Sequence, residues 1–310
     1  MSGTVRRGTG PWPSSNVEQE VRRWLLGRLG SVEIEEREGM ALRLMEHESG
    51  QPRGARLSEG RRWSESELDR LAVWAARLSE GEPLQHVLAQ AWFDGMALRV
   101  TPDVLIPRPE TEELAAWMAG KLAAFPHAAP QALDWCTGSG CIALSLKKRV
   151  PRAEVHAWDV SRAALDVVQA NAEIFGLDMT TGESDLLSAP RQSAPLHLVV
   201  SNPPYIPAAE RKDMHVRVVD HEPALALFVP DEDPLLFYRA LVRWCEAGGL
   251  SEEGWLGMEC HHAFAGDVAA LLADSDRWKH VEILEDLQGK PRHVVARLEV
   301  PSLHGRPPKD

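Results

Sequence analysis

The chain contains the stretch QALDWCTGSGCIALSLKKR at residues 131–149, and this stretch decides the fold. Its first six residues are mostly apolar and predict a buried strand. Gly138 and Gly140 then predict a tight turn, and the residues after the turn predict a helix. Glycines at a strand-to-helix turn let a ligand approach the backbone, but the third glycine of the dinucleotide fingerprint is missing, because residues such as Leu144 stand in its place. A tight turn without a ligand is the alternative.

Short apolar runs and helical segments alternate outward from this stretch up to residue 298. Strands are predicted near 131–136, 154–158, 179–183, 196–201, 254–259, 279–284 and 293–299, with helices at about 141–149, 162–175, 235–247 and 263–274. Such alternation is typical of a mainly parallel sheet with helices on both faces. A tight polar turn at 288–291 indicates that the last strand is antiparallel, and we expect it at the end of the sheet.

The N-terminal part shows helical spacing and no visible chemistry. Helices are predicted over 17–29, over 31–46 and from Ser64, which resembles the start of a capping box, while 48–62 is predicted to be a polar loop. The predicted organisation is a disordered start (1–15), a helical domain (16–88), a β-hairpin linker (89–108), an α/β domain (109–300) and a disordered tail (301–310).

Composition excludes several classes of protein. The 310 residues are 44% hydrophobic and 26% charged, as in a soluble globular protein, and no apolar run is long enough to span a membrane. The N-terminus lacks the apolar core of a signal peptide, which predicts a cytoplasmic location. A net charge of −12 disfavours wide contact with nucleic acid. The four cysteines show no paired C-x-x-C spacing. The histidines His221, His261 and His262 do not form a set of three ligands at a spacing that suits a metal, so no metal site is predicted.

Polar residues follow successive predicted strands. Asp159 follows the second strand and could accept hydrogen bonds from a ribose diol, or could simply cap the next helix. Asp185 follows the third strand and could accept from an exocyclic amine of adenine, or could be an ordinary loop acid. The fourth strand ends at Asn202. In an open parallel sheet these strand ends lie along one edge, so the ordered series predicts one ligand site better than any member alone.

The turn Asn202-Pro203-Pro204-Tyr205 carries the most specific signal. Two successive prolines supply no backbone N–H, so the strand must stop there. The turn then offers an amide oxygen, the Pro203 carbonyl and an aromatic ring. Two acceptors and a ring can hold a planar –NH2 group, with Asn202 and Pro203 accepting its hydrogens and Tyr205 packing on its face.

These motifs resemble those of the seven-strand S-adenosylmethionine-dependent methyltransferases. The turn at Asn202 is similar to that of enzymes that methylate planar –NH2 groups. The segments 82–86, 106–112, 221–227 and 289–292, with the hairpin near Trp92, resemble the peptide chain release factor glutamine methyltransferases. This resemblance covers about residues 17–299 and follows the order of the family's motifs.

The resemblance implies a Rossmann-like seven-strand, mainly parallel sheet with one antiparallel strand, and S-adenosyl-L-methionine as cofactor. It implies methylation of the glutamine in the Gly-Gly-Gln motif of peptide chain release factors. We expect a monomer, and we expect the N-terminal bundle to bind the body of the release factor, since a three-residue loop offers little binding area. Within the motif, Cys136 is also similar to the cysteine of enzymes that methylate a ribosomal-protein glutamine, so such an enzyme is one alternative. An adenine-N6 nucleic-acid methyltransferase is a further alternative. The implied catalytic residues are Asn202, Pro203 and Tyr205. The implied cofactor-binding residues are Asp134, Cys136, Thr137, Gly138, Ser139, Gly140, Asp159, Asp185, Leu186 and Asn202, and the substrate-binding residues are Arg108, Asn202, Pro203, Pro204 and Tyr205.

Overall fold

The chain divides into two compact units in this computed structural model, which describes residues 8, 10–190 and 195–299. The first unit takes in the described residues up to Gln90 together with His215–His221. The second takes in Ala91–Met214 and the described residues from Glu222 onward. The disorder predicted for residues 1–7, 9 and 301–310 lies outside the described residues.

The first unit is helical. Its elements are α1 (Glu18–Arg28), α2 (Ile34–Ser49), α3 (Arg53–Ser58), α4 (Glu65–Ser79), α5 (Leu84–Leu88) and, later in the chain, α9 (Val216–His221). Buried Leu25, Leu44 and Leu71 contribute to one apolar core. The later segment is joined to α2 by an ion pair between Arg217 Nη1 and Glu36 Oε2 at 2.5 Å.

Two features of this unit test the local predictions. The capping box at Ser64 is confirmed, because its hydroxyl accepts from the Glu67 N–H while the Glu67 carboxylate accepts from the Ser64 N–H. The prediction of a loop over 48–62 is wrong, because it contains α3. Arg56 of α3 is fully buried and pairs with Glu18 at 2.9 Å. That partner lies 38 residues away, so local polarity alone predicted a loop.

The second unit contains a seven-strand sheet. The strands of this sheet are β3 (Gln131–Trp135), β4 (Glu154–Asp159), β5 (Thr180–Glu183), β6 (Leu196–Ser201), β9 (Leu250–Glu259), β10 (Trp278–Glu285) and β11 (Pro291–Leu298). Two short strand pairs are β1 (Gln90–Phe93), which begins at the boundary of the units, with β2 (Met96–Arg99), and β7 (Ile206–Pro207) with β8 (Phe228–Val229). The helical elements are α6 (Pro109–Ala124), α7 (Cys141–Arg149), α8 (Arg162–Phe175), a 3-10 turn (Ala208–Asp213), α10 (Ala224–Leu227), α11 (Leu236–Trp244), a π-helical turn (Cys245–Gly249) and α12 (Ala265–Ala273). The strand order β10-β11-β9-β6-β3-β4-β5 confirms the predicted fold class.

The single antiparallel strand, β11, pairs with β9 on one side and β10 on the other. It is therefore one strand in from the edge, whereas we expected it at the end of the sheet. β11 lies inside the sheet because it is apolar on both faces. Its consecutive residues Val294, Val295 and Ala296 are fully buried, which suits an interior strand. The edge strand β10 has mostly exposed residues between Lys279 and Glu285.

Helices cover both faces of this sheet. Successive residues of β3 point to opposite faces and belong to different apolar cores. Ala132 belongs to the core that contains side chains of α6, α7 and α8. Leu133 belongs to the core that contains side chains of α11 and α12. The carboxyl ends of β3, β4, β5 and β6 consequently lie along one edge. Among the described residues, no helix is long and apolar enough to cross a bilayer.

Candidate active site

The turn after β3 has a backbone that glycine makes possible. Cys136, Gly138 and Gly140 have φ values of +59°, +54° and +80°. A Cβ on Gly140 would lie 3.1 Å from a methyl carbon of Val168, so this position is restricted by space as well as by conformation. A Cβ on Gly138 would meet no atom within 4 Å. The turn is thus tightly packed behind Gly140 and open at Gly138.

Asp134 supports this turn from behind. Its Oδ2 accepts from the Thr137 hydroxyl at 2.6 Å and from the Ala143 N–H at 3.1 Å, which joins the turn to the first residues of α7. Full burial raises the pKa of Asp134 to about 7. Neither Asp134 nor Gly140 lines the cavity at this edge of the sheet. Both were predicted to bind the cofactor; their observed contacts are those of residues that shape the turn.

A cavity of about 370 Å³ lies at this edge of the sheet. Its wall brings together most of the predicted site residues, namely Arg108, Cys136, Thr137, Gly138, Ser139, Asp159, Asp185, Leu186, Asn202 and Pro204. The size falls in the range of small-molecule and cofactor sites, roughly 300–1,000 Å³. All of these residues belong to the second unit.

The two strand-end aspartates are held in place by the backbone. Asp159 accepts the Gly138 N–H on Oδ2 and the Ser161 N–H on Oδ1, both at 2.9 Å. Asp185 accepts the Leu187 N–H at 2.9 Å on Oδ1. Burial raises the pKa of Asp159 even though these N–H groups stabilise its ionised form. Each carboxylate oxygen has a second acceptor position, so both residues can also bind hydroxyl or amine hydrogens of a ligand.

Asn202 lines the cavity, and its side chain is held by Thr111, which also lines the cavity. Its Nδ2 donates to the Thr111 hydroxyl at 3.2 Å, and that hydroxyl donates to Glu259 Oε2 at 2.6 Å. The Tyr205 hydroxyl donates to Glu259 Oε1 at 3.1 Å. Glu259 is 1% exposed, and burial raises its pKa. A hydrogen-bonded network therefore joins the Asn202 turn to α6 and to the end of β9.

Tyr205 and Pro203 are the predicted acceptor-binding residues that do not line the cavity. The Tyr205 ring packs against the core that contains Leu133. Burial and the nearby Glu259 carboxylate raise the pKa of the Tyr205 phenol. The stacking of this ring on a substrate amide stays a prediction. The phenol hydroxyl is engaged by the buried Glu259 carboxylate.

Glu259, Thr111 and Glu222 were not among the predicted site residues. Glu222 is 5% exposed, accepts the Ile106 N–H at 2.9 Å, and pairs with Arg108 at 2.6 Å. The sequence could have indicated Glu259 as a site residue, because it is the last residue of β9 just as Asp159 is the last residue of β4. Thr111 and Glu222 lie on a helix and in a loop, where residue type alone indicates nothing about a site.

Metal binding has no geometric support in the part of the chain that the structure describes. No three His, Cys, Asp or Glu side chains converge there in a way that could hold an ion. His261 instead faces Glu210, with Nε2 3.3 Å from Oε2, and its ring lies against that of His262.

Two family models match the chain. The PrmC N-terminal domain matches residues 20–88, and the Methyltransferase small domain matches residues 120–223. The second match contains the glycine turn, both strand-end aspartates and Asn202. Fold and site thus define a methyltransferase.

Curated relatives give the family. The release factor glutamine methyltransferase of Bacteroides thetaiotaomicron is 41% identical over 223 residues, which are 71% of this chain and 77% of the relative. That of Deinococcus radiodurans is 38% identical over 242 residues, 77% of this chain and 80% of the relative. The solved release factor-specific protein-(glutamine-N5) methyltransferase of Alicyclobacillus acidocaldarius is 29% identical, with 66% of this chain and 100% of that chain covered and a TM-score of 0.40.

The chain belongs to the release factor glutamine methyltransferase family. The predictions that it is a methyltransferase and that its cofactor is S-adenosylmethionine are thereby confirmed.

Proposed function

We propose that this enzyme transfers a methyl group from S-adenosylmethionine to the side-chain amide nitrogen of the glutamine in the Gly-Gly-Gln motif of a peptide chain release factor. Curated relatives that are 38–41% identical are named for this substrate. The observation that carries the proposal is Asn202: it lines the cavity beyond the two strand-end aspartates, and its Nδ2 is already engaged by Thr111, which leaves Oδ1 as an acceptor.

The cavity residues fit the cofactor. S-adenosylmethionine supplies a methyl group on a positively charged sulfonium sulfur. The open space at Gly138 admits a ligand against the backbone, and Asp159 can accept from a ribose diol. Asp185 and Leu186 would contact the base. The cavity wall has carboxylates at Asp103, Asp159 and Asp185 against one guanidinium, which suits a cationic ligand.

The acceptor side of the reaction depends on positioning. An amide nitrogen is a poor nucleophile, because its lone pair is delocalised into the carbonyl group. Asn202 Oδ1 would accept one amide hydrogen, place the nitrogen in line with the methyl group, and stabilise the positive charge that develops there. A nitrogen–carbon bond would form as the sulfur–carbon bond of the methyl donor breaks and S-adenosylhomocysteine leaves, and the nitrogen would then lose one proton to water. The Pro203 carbonyl and the Tyr205 ring remain predicted contacts of the acceptor.

The helical first unit is proposed to bind the body of the release factor. A short glutamine loop offers little area compared with the roughly 800 Å² per partner of a specific protein interface. The measurement is a comparison of KM for the whole release factor and for a peptide with the Gly-Gly-Gln loop alone, using the full-length enzyme. We expect a much higher KM for the peptide, and equal KM values would exclude this role.

The enzyme is further proposed to act as a monomer, in the cytoplasm and without nucleic acid. The net charge of −12 disfavours wide contact with nucleic acid, and a protein substrate of translation is found in the cytoplasm. Sedimentation velocity at two protein concentrations would test the monomer.

The test of function uses S-adenosylmethionine labelled on its methyl group. Separate reactions contain a release factor, the same factor with Gln→Ala in its Gly-Gly-Gln motif, total ribosomal proteins, and DNA. We expect label in the unmodified release factor alone, with mass spectrometry placing one methyl group on the motif glutamine. Label in DNA alone, in ribosomal proteins alone, or in the Gln→Ala factor would contradict the proposal.

A further inference from the structure

Glu259 is the centre of a set of hydroxyl donors beside the active site. The chain has only two tyrosines, Tyr205 and Tyr238, and both donate to this residue. Tyr205 donates to the side chain at 3.1 Å and Tyr238 to the backbone carbonyl at 3.2 Å. The Thr111 hydroxyl occupies the other carboxylate oxygen at 2.6 Å. Glu259 is buried at the end of β9, although it lines no part of the cavity itself.

When Glu259 is ionised, hydrogen-bond chemistry assigns the direction of each of its side-chain bonds. An ionised carboxylate only accepts, so the hydroxyls of Thr111 and Tyr205 must both donate to Glu259. Thr111 has one hydroxyl hydrogen, and it is used in that bond. Toward Asn202 the Thr111 oxygen can therefore only accept, and the group of Asn202 that faces it must be the –NH2 group. This conclusion fixes the two ends of the Asn202 amide, which otherwise look nearly alike.

We propose that Glu259 and Thr111 are positioning residues for methyl transfer, which hold the Asn202 amide with Oδ1 toward the acceptor nitrogen. The proposal rests on the proposed function, in which Asn202 Oδ1 accepts a hydrogen of the substrate amide. Reversal of the Asn202 amide would present hydrogens to the substrate's own –NH2 group, and the two donors would repel.

The protonation of Glu259 is the condition for this arrangement. A protonated carboxyl can donate to Thr111, whose hydroxyl hydrogen is then free to turn toward Asn202 and favour the reversed amide. The ionisable groups that face Glu259 are Glu110, Cys141, Tyr205, Tyr238, Cys260 and Arg292. Burial and Glu110 favour the neutral carboxyl, whereas Arg292 and the hydroxyl donors favour the ionised one. Activity should therefore fall as pH decreases through the titration of this group.

The first arm of the test observes Asn202 directly. The chain contains three asparagines, Asn16, Asn171 and Asn202, so a sample with ¹⁵N in asparagine gives three side-chain NH2 signals. Asn16 binds the Trp63 carbonyl in the first unit, and Asn171 binds the Arg99 and Ser139 carbonyls in the second. Their signals report whether each unit of a variant is folded.

We expect Thr111→Val to shift the Asn202 signal while the other two signals stay in place, and Thr111→Ser to retain the wild-type shift. Glu259→Gln should also move the Asn202 signal, because its own amide can donate to Thr111. An Asn202 signal that is unchanged in folded Thr111→Val would overturn the proposal. This arm needs no substrate, so it decides the proposal even if release factor is not methylated.

The second arm measures methylation of the release factor. We expect Thr111→Val and Glu259→Gln each to lower kcat about tenfold, the effect of one lost orienting hydrogen bond, while Thr111→Ser recovers most of it. Calorimetry with Glu259→Gln, whose site lies outside the cavity wall, should show unchanged affinity for S-adenosylmethionine. The fall in kcat at low pH should be absent in Glu259→Gln. The matched control is Thr180→Val, a substitution on an exposed residue of β5, which should leave kcat unchanged.

The outcomes separate the two proposals. A wild-type enzyme that labels the release factor, with wild-type kcat in both variants, would overturn the positioning roles and leave the function standing. A wild-type enzyme that labels no release factor would overturn the function.

Discussion

The Arg108 guanidinium pairs with the buried Glu222 carboxylate at 2.6 Å, across 114 residues of sequence. The other oxygen of Glu222 accepts the Ile106 N–H at 2.9 Å. Glu222 thereby joins the segment before α6 to the segment before α10, and both segments contribute to the cavity wall. Arg108 was predicted from the sequence as a substrate-binding residue. In the structure its charge is already balanced, so its contribution includes the shape of the cavity.

Glu222→Ala should destabilise the second unit. The change leaves the Ile106 N–H and the Arg108 guanidinium without their partner, at a cost of about 1–3 kcal/mol in the free energy of unfolding. Urea denaturation followed by circular dichroism measures this cost. Glu252→Ala removes an exposed carboxylate from β9 and serves as the control, with a change within about 0.5 kcal/mol. Equal effects of the two substitutions would show that the Glu222 bonds contribute no net stability.

Asn202→Ala should remove turnover and spare cofactor binding. Loss of one preorganised acceptor at the reacting nitrogen is expected to lower kcat about 100-fold or more. Affinity for S-adenosylmethionine, measured by calorimetry, should change much less, because the glycine turn and Asp159 are proposed to bind it independently. A parallel loss of affinity and kcat would instead assign Asn202 to the cofactor.

Gly140→Ala should destabilise the turn. Its φ of +80° is unfavourable for alanine, and the new methyl group would lie 3.1 Å from Val168. We expect a loss of about 1–3 kcal/mol in the free energy of unfolding. Gly120→Ala is the matched control, since Gly120 is inside α6 with no atom near its added Cβ, and should stabilise by about 0.5–1 kcal/mol. A neutral Gly140→Ala would show that the turn adapts.

The buried Asp134 should make stability depend on pH in an unusual direction. Burial raises its pKa to about 7 in the folded protein, above the value of about 3.9 for an unfolded chain. The folded state thus binds the proton more tightly, and the stability that this residue contributes is present below about pH 4 and is lost as pH rises to about 7. The difference in unfolding free energy between wild type and Asp134→Asn should decrease by up to about 1.4 kcal/mol per pH unit across this window. A difference that is constant with pH would show that Asp134 is ionised throughout.

The two tyrosines should resist ionisation in the folded protein. Burial raises the pKa of both phenols, and the carboxylate of Glu259 acts in the same direction. Their contribution to stability is therefore complete below about pH 10 and decreases above it. Absorbance at the tyrosinate wavelength should show no phenolate in folded protein at pH values where the urea-unfolded chain is fully titrated. Titration of one tyrosine near its ordinary pKa would contradict the buried environment of that ring.

Much of the catalytic unit could be predicted because its signals are local. The period of apolar residues indicated every strand of the large sheet, and the glycines and prolines indicated where strands end. Asp159, Asp185 and Asn202 could be found since parallel strands bring their carboxyl ends to one edge. In the first unit, the segment around Arg56 was wrongly predicted to be a loop, because polarity alone does not reveal a buried ion pair with a distant residue.

The sequence by itself determined the seven strands of the large sheet, the turn at Gly138 and the end of β6 at Asn202, because each depends on residues that are adjacent in the chain. Only the tertiary structure decided what lies behind Asn202. Thr111 and Glu259 are 148 residues apart, and they meet because β9 lies beside β6 in the sheet and α6 packs over both strands. The same packing directs the Tyr205 hydroxyl to Glu259, because a buried carboxylate requires donors and the nearest ones are these hydroxyl groups.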